Sequence, residues 1–140
     1  MEGIKRKPRV VILGAGWGGY NFGKMINKEE FDVTLISPRN HFLFTPLLPS
    51  TTVGTLEYKC IQEPVRSIKD LKYRQALATN IDFETKKINC RPVCNDDYCG
   101  LDYDVEYDQL IIACGMTNSI FKTEGVSQDP VVNQDNHIYF

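Results

Sequence analysis

Hydrophobic positions along this chain gather into a few short, dense runs separated by polar, glycine- and proline-containing stretches. The first run, Arg9–Leu13 ("RVVIL"), is continuous rather than alternating, as expected for a strand covered on both faces of a parallel sheet. From Trp17 to Lys28, Tyr20, Met25 and Ile26 recur among small and polar residues, which predicts a short helix. Asp32–Ser37 ("DVTLIS") is a second, β-branched strand. Strand, glycine turn, helix and strand in this order form a βαβ unit with a right-handed crossover.

Residues 38–60 hold three prolines and several large apolar side chains without a period. Leaving Phe42, Leu43, Phe44, Leu47 and Leu48 in water is unfavourable, so an ordered loop lying on a ligand or a partner surface is expected. Ile61 to Leu71 reads as one helical stretch with Pro64 in its first turn, where proline is tolerated. The weak alternation of residues 72–93, broken by a charged turn at Glu84–Lys87, predicts a β-hairpin or meander. Asn95–Asp104 reads as an exposed connection, and Leu110–Ala113 as a buried strand stopping at Gly115. These elements describe an α/β, Rossmann-like half-domain over residues 1–125, a parallel sheet with an inserted antiparallel hairpin or meander. An irregular tail at 126–140 is expected to follow.

Composition narrows this picture only slightly. One domain of 140 residues, 42% hydrophobic and 24% charged, has the balance of a soluble globular protein. A formal net charge of −2 argues against a general nucleic-acid binder. The short basic cluster Lys5, Arg6, Lys7 and Arg9 reads as a solvated lead-in. No apolar run approaches the ~20 residues of a membrane span, and the first ten residues have neither the apolar core of a secretory signal nor the look of a mitochondrial presequence. Five cysteines (60, 90, 94, 99 and 114) lack paired CxxC spacing and a nearby histidine, which favours reduced structural thiols over a metal site.

The chemistry begins at residue 14. Gly14, Gly16 and Gly19 satisfy G-x-G-x-x-G between a strand and a helix. The first glycine permits the tight turn, the second lets the backbone approach a pyrophosphate, and the third lets helix and strand pack closely. The helix start directs free N–H groups and a positive dipole end at the anion. Where many dinucleotide folds carry an acid at the end of the second strand, this chain has Ser37. Arg39 suits the 2′-phosphate of NADP, so an NADP-binding module is one reading. Against it, the apolar, proline-rich segment 42–49 is better suited to cover a large flat ring. Taken alone, Thr45 is an ordinary loop hydroxyl and Cys114 a small buried strand residue.

"LGAGWGGYNFGKMI", "VTLISPRNHFLFTPLLPSTTVGTLEY", "IQEPVR" and "YDQLIIACG" together resemble the start of the type II (alternative) NADH:quinone oxidoreductases, flavoproteins with two dinucleotide-binding domains. The resemblance runs in order over roughly residues 8–120, and "SPRNHFLFTPLLPS" is its most specific part. It implies an FAD site. Gly14, Gly16, Gly18 and Gly19 would sit on the pyrophosphate, with Trp17 inside the turn. Ser37 and Arg39 would hold the adenosine end, and Ala78 would reach the adenine side through its backbone. Thr45, Pro46 and Leu47 would lie along the isoalloxazine ring, and Ala113, Cys114 and Gly115 match the family's second flavin motif.

Members of that family continue into an NADH-binding domain with its own glycine motif, and these 140 residues contain no second G-x-G-x-x-G. Hydride transfer needs nicotinamide and flavin held face to face. The resemblance therefore implies a flavin-binding half that works with other protein chains or a complementing domain, as part of a mitochondrial respiratory assembly. It would sit peripherally at the inner membrane, with membrane association through partners. Two further readings stand beside it: a noncatalytic accessory subunit that has lost flavin binding, and a truncated product of little function.

Overall fold

The computed structural model describes residues 6–93 and 100–116. The predicted tail, Cys94, Cys99, Lys5 and the first half of the 95–104 connection lie outside the described residues.

Strand β1 (Arg9–Leu13) forms where predicted, and so does β2 (Asp32–Ser37), in parallel register from Arg9↔Asp32 to Leu13↔Ile36. Between them helix α1 runs Trp17–Met25, three residues shorter than the pattern suggested. Ile26 leaves the helix in extended conformation while its N–H still reaches the Phe22 carbonyl, 2.9 Å away. Later in the chain come β5 (Lys72–Asp82), β6 (Lys87–Pro92), β7 (Tyr103–Glu106) and β8 (Gln109–Ile112). The main sheet has the order β7-β6-β5-β2-β1-β8, parallel from β5 to β8 and antiparallel from β5 to β7.

Alternation along β1 explains its continuous apolar sequence. Val10 and Ile12 face one side, where they pack with Val33, Leu35, Tyr20, Phe42 and Val65. Val11 and Leu13 face the other, against Ile36, Ala76, Ile88, Cys90 and Tyr107. The first face is covered by α1 and the segment after β2, the second by the meander. The long strand β5 makes this possible: residues 72–75 pair with β2, and residues 76–82 pair with β6 beyond it. Its turn to β6 is closed by Asp82, whose Oδ1 accepts the Glu84 and Thr85 N–H groups at 2.9 and 3.0 Å, and Lys86 is left-handed (φ 53°).

Several expectations need correction. Residues 38–60 are ordered but not irregular: they hold β3 (His41–Leu43), a 3₁₀ turn at Thr45–Leu47, helix α2 (Leu48–Thr52) and a 3₁₀ turn at Tyr58–Ile61. These pieces are too short to show a period. Residues 61–71 are not a helix. Ile61, Val65 and Ile68 have helical spacing and all are buried, but β4 (Gln62–Pro64) and a 3₁₀ turn at Val65–Ser67 deliver them. Pro64 disfavours helical conformation at Glu63, and β4 instead pairs antiparallel with β3, Phe42 opposite Glu63. The end of the 95–104 connection, Tyr103 and Asp104, already belongs to β7. Finally, β8 is not a buried strand. It is the edge of the sheet, and Ile112 is 59% exposed.

The entry of β8 beside β1 is fixed by one reciprocal pair. Asp108 accepts the Arg9 backbone N–H at 2.7 Å, and the Asp108 N–H donates to the Arg9 carbonyl at 2.9 Å. The Arg9 and Arg6 guanidinium groups each approach the same carboxylate at 3.3 Å. The Arg9 backbone N–H, then its side chain, hold the Asp108 carboxyl below its ordinary 3.8. A depressed folded-state value means stabilisation that is present above the unfolded value and lost as pH falls through the folded one. In urea titrations, Asp108→Asn should lower the unfolding midpoint at neutral pH. The gap to the parent should close as the pH drops below 3.8 and the parent's own carboxylate is protonated.

Candidate functional site

Strand β1 lies between β2 and β8, and the chain leaves β1 toward β2 and returns on its other side as β8. That reversal of direction marks the carboxyl ends of the strands, where ligands of open α/β sheets bind. The glycine turn sits there. Gly14 is left-handed (φ +100°), and its N–H donates to the Ile36 carbonyl at 2.8 Å. A methyl group on Gly14 would overlap the Ala113 carbonyl, and one on Gly19 would overlap the Gly14 carbonyl. These two glycines hold β1, α1 and the end of β8 together.

Gly16 is different: a methyl group there would meet nothing within 4 Å. Its carbonyl accepts the Tyr20 N–H at 2.9 Å, the first bond of α1. No side chain caps this helix start, and its first turn contains no acid. The N–H groups ahead of Tyr20 have no intrahelical acceptor, so the turn presents donors and a positive dipole end at an unobstructed backbone. Gly18 lies near the Ala113 methyl, 3.5 Å from a methyl placed on it.

Above the turn stands a ladder of aromatic rings. Tyr20 stacks on Phe42 (4.8 Å between centroids, 10° between planes), Trp17 meets Phe42 edge-on at 5.0 Å, and Phe44 tilts against Trp17 at 5.2 Å. The Trp17 indole N–H donates to Thr45 Oγ1 at 3.2 Å. Thr45, Pro46 and Leu47 form the exposed 3₁₀ turn at the end of this ladder. Lys24 ties α1 to β4 through Glu63 (3.2 Å) and lies 5.2 Å over the Tyr20 ring.

At the end of β2, Ser37 is buried, and its Oγ accepts the Arg39 N–H at 3.2 Å. Register brings β5 to the same place: Ser37 faces Gln75, and Leu35 faces Tyr73. The Tyr73 hydroxyl donates to the Ser37 carbonyl at 3.1 Å, and the Gln75 amide donates to the Pro38 carbonyl at 3.2 Å. Burial pushes the Tyr73 phenol up to about 12, against a smaller opposing effect of Arg66, so it stays a donor at neutral pH. Arg39 Nε is buried with no hydrogen-bond partner. A buried guanidinium donor in that state is costly unless an acceptor arrives.

Among the sequence-predicted residues, Gly14, Gly16, Trp17, Gly18, Gly19 and Thr45 form one contiguous group with Ala113. The Ala113 N–H donates to the Leu13 carbonyl at 2.9 Å, and Gly115 is left-handed (φ +74°). Ser37 and Arg39 lie at the neighbouring strand end. Ala78 is not gathered to the turn: it sits opposite Cys90 in the β5–β6 ladder, beside a bulge between Ala78 and Asn80. Cys114 is exposed, not buried as its sequence suggested, because the chain has already left the edge strand. Cys60 is exposed and Cys90 buried, and burial raises the Cys90 thiol. Among the described residues, no three His, Cys, Asp or Glu side chains are placed to share a metal ion. None of their helices is long and apolar enough to cross a membrane. Sequence reasoning missed Tyr73 and Gln75, whose place comes from their register opposite β2, which no local sequence signal reports.

The sequence profile of the pyridine nucleotide-disulphide oxidoreductases matches residues 8–139. The chain belongs to this family. It is 43% identical over 139 residues to the mitochondrial external alternative NAD(P)H-ubiquinone oxidoreductase B4 of Arabidopsis thaliana, covering 96% of this chain and 22% of that protein. A probable NADH dehydrogenase of Dictyostelium discoideum is 43% identical over 124 residues, covering 86% of this chain and 27% of its own. Among solved structures, NDH2 of Plasmodium falciparum in complex with NADH superposes with a TM-score of 0.75 at 41% identity, over 86% of this chain and 24% of that one. The chain thus spans about a quarter of the length of these relatives and resembles the flavin-binding, N-terminal region of type II NADH dehydrogenases.

The glycines divide into two mechanical classes with opposite expected behaviour. Gly19→Ala should destabilise the fold by about 1–3 kcal/mol, because the overlap with the Gly14 carbonyl forces backbone movement. Gly16→Val should cost about 1 kcal/mol or less, the penalty of a poorer helix cap. Urea denaturation followed by circular dichroism separates the two.

Proposed function

We propose that this chain forms the FAD-binding part of a type II NADH:quinone oxidoreductase. The observation that carries the reading is the unobstructed backbone of Gly16 at an uncapped, acid-free helix start. It offers a pyrophosphate both room and donors. The buried, unpartnered Arg39 Nε adds a cation in need of an acceptor at the adjacent strand end. On this reading Gly14, Gly16, Trp17, Gly18 and Gly19 hold the pyrophosphate. Ser37 and Arg39 take the adenosine end, with the Ala78 backbone on the adenine side. Thr45, Pro46 and Leu47 line the flavin ring, and Ala113, Cys114 and Gly115 close against it. When bound, FAD supplies the hydride-accepting chemistry, and the chain's own residues bind and orient it.

The 140 residues contain one G-x-G-x-x-G motif, so the nicotinamide-binding domain lies outside them, in further chain or in a partner. Reaction with NADH and a quinone therefore belongs to the completed assembly. The same reading gives it a peripheral place at the mitochondrial inner membrane; the mitochondrial name of the Arabidopsis relative supports the organelle. A second reading, binding of NADP, draws on Arg39 alone: its guanidinium, with Nε unpartnered, also suits a 2′-phosphate.

Titration of the folded chain with FAD and, separately, with NADPH distinguishes the readings. FAD should bind in a one-to-one ratio and give a yellow protein with quenched flavin emission. Gly16→Val should abolish this while leaving the circular dichroism spectrum unchanged. Uptake of NADPH in place of FAD would establish the second reading, and uptake of neither would overturn both.

A further inference from the structure

We propose that Trp17 is a positioning residue that turns the Thr45 hydroxyl proton away from the indole and toward an acceptor atom of the bound cofactor. Trp17 serves both ends of the candidate site. Its backbone is the first residue of α1, beside Gly16, and its side chain reaches across to the 3₁₀ turn at Thr45–Leu47. Burial does not explain a tryptophan here, because the residue is 46% exposed. Its specific contacts do. The ring is clamped between the edge of Phe42 and the tilted face of Phe44, which fixes the direction of the indole N–H. That N–H meets Thr45 Oγ1 at 3.2 Å.

The indole nitrogen only donates, so Thr45 Oγ1 must accept from it. With an acceptor site of Oγ1 engaged, the threonine's own proton is left to point elsewhere, and the turn is exposed. That proton is available to an acceptor atom of a ligand lying against Thr45. The proposal rests on the FAD reading, and the polar edge of an isoalloxazine ring carries such acceptors in its ring nitrogens and carbonyl oxygens. Trp17 never needs to touch the ring; it acts through Thr45. The same residue also links the two ends mechanically, since any tilt of the α1 start moves Thr45 with it.

Trp17 is the only tryptophan in the sequence, so the ligand-free chain has a single indole N–H resonance. In the ligand-free protein, Thr45→Val should shift that resonance upfield, and Thr45→Ser, which keeps the acceptor, should leave it in place. For FAD, Trp17→Phe keeps an aromatic ring but removes the donor. It should raise the Kd about 3- to 10-fold, the weight of one net hydrogen bond. Thr45→Val should weaken binding comparably and alter the shape of the visible flavin band. Adding Trp17→Phe to Thr45→Val should then change little further, because the tryptophan acts through the threonine. An indole resonance indifferent to Thr45→Val, or two effects on Kd that simply multiply, would overturn the proposal. A responsive indole in a chain that takes up no FAD would instead overturn the FAD reading and leave the Trp17–Thr45 tie standing.

Discussion

The close approach of three backbone segments at the end of β1 is the constraint on which the rest of this structure depends. Gly14 abuts the Ala113 carbonyl, and Gly19 abuts Gly14, so no side chain larger than hydrogen fits at either place without moving backbone. That approach brings α1 down onto the sheet, where Tyr20 reaches Phe42 and the core formed by Val10, Ile12 and Leu35. At the opposite end of β1 and β8, Arg9 and Asp108 pair reciprocally. With both ends held, the alternate residues of β1 have two faces to fill. The meander is the device that fills the second, through Ala76, Ile88 and Cys90. The turn is thus first a structural joint. Gly16 alone among its motif glycines is left clear, and the joint is what keeps it clear.

Charge is distributed along the strands in a way that suits this division. Around the amino end of β1, Arg6, Arg9, Glu106 and Asp108 form a mutually satisfied cluster. At the carboxyl end there is no acid in the first turn of α1, and Ser37 stands where an acid would otherwise accept a ribose hydroxyl. Polar groups there are neutral donors and acceptors locked by neighbours, such as Tyr73 on the Ser37 carbonyl and the Ser37 hydroxyl on the Arg39 N–H. Arg39 is the exception, a buried guanidinium nitrogen without a partner. A low density of negative charge and one unsatisfied cationic donor leave the site biased toward a polyanionic ligand.

Much of this was legible in the sequence because the signals were local. The run Arg9–Leu13, the glycine spacing and the β-branched residues of Asp32–Ser37 each report on structure within a few residues of themselves, and the βαβ unit followed. The hairpin was readable for the same reason, from its own turn. What was not legible depended on distant partners. Ile61, Val65 and Ile68 repeat at helical spacing, yet the pairing of β4 with β3 decides their path, and nothing near residue 64 announces that His41–Leu43 will lie beside it. The exposure of β8 is also non-local: Gln109–Ile112 has the composition of a buried strand, and its place at the edge comes from sheet order alone. Resemblance named the segment 42–49 as important, but not how it is held. That required the ring geometry of Trp17, Phe42 and Phe44, three residues that no periodic pattern connects.

The exposed apolar side chains show why the site cannot be judged from the glycine motif alone. Trp17, Phe44, Leu47, Ile112 and Met116 are between 38% and 92% exposed, and each belongs to a segment that ends at the carboxyl end of the sheet. Scattered single hydrophobic residues are normal on a protein surface, but a set sharing one end of one sheet marks a surface built to be covered. A pyrophosphate on the glycine turn covers none of them. On the proposed reading, a flat aromatic ring reaching from the turn toward Thr45 would cover part of the set, which is the physical reason to favour a flavin over a nucleotide held by its phosphates alone. The residues flanking β8 lie on the other side of β1 from that path, so a ring does not cover them. On the reading proposed above, protein other than these 140 residues covers them, and the chain spans about a quarter of its relatives' length.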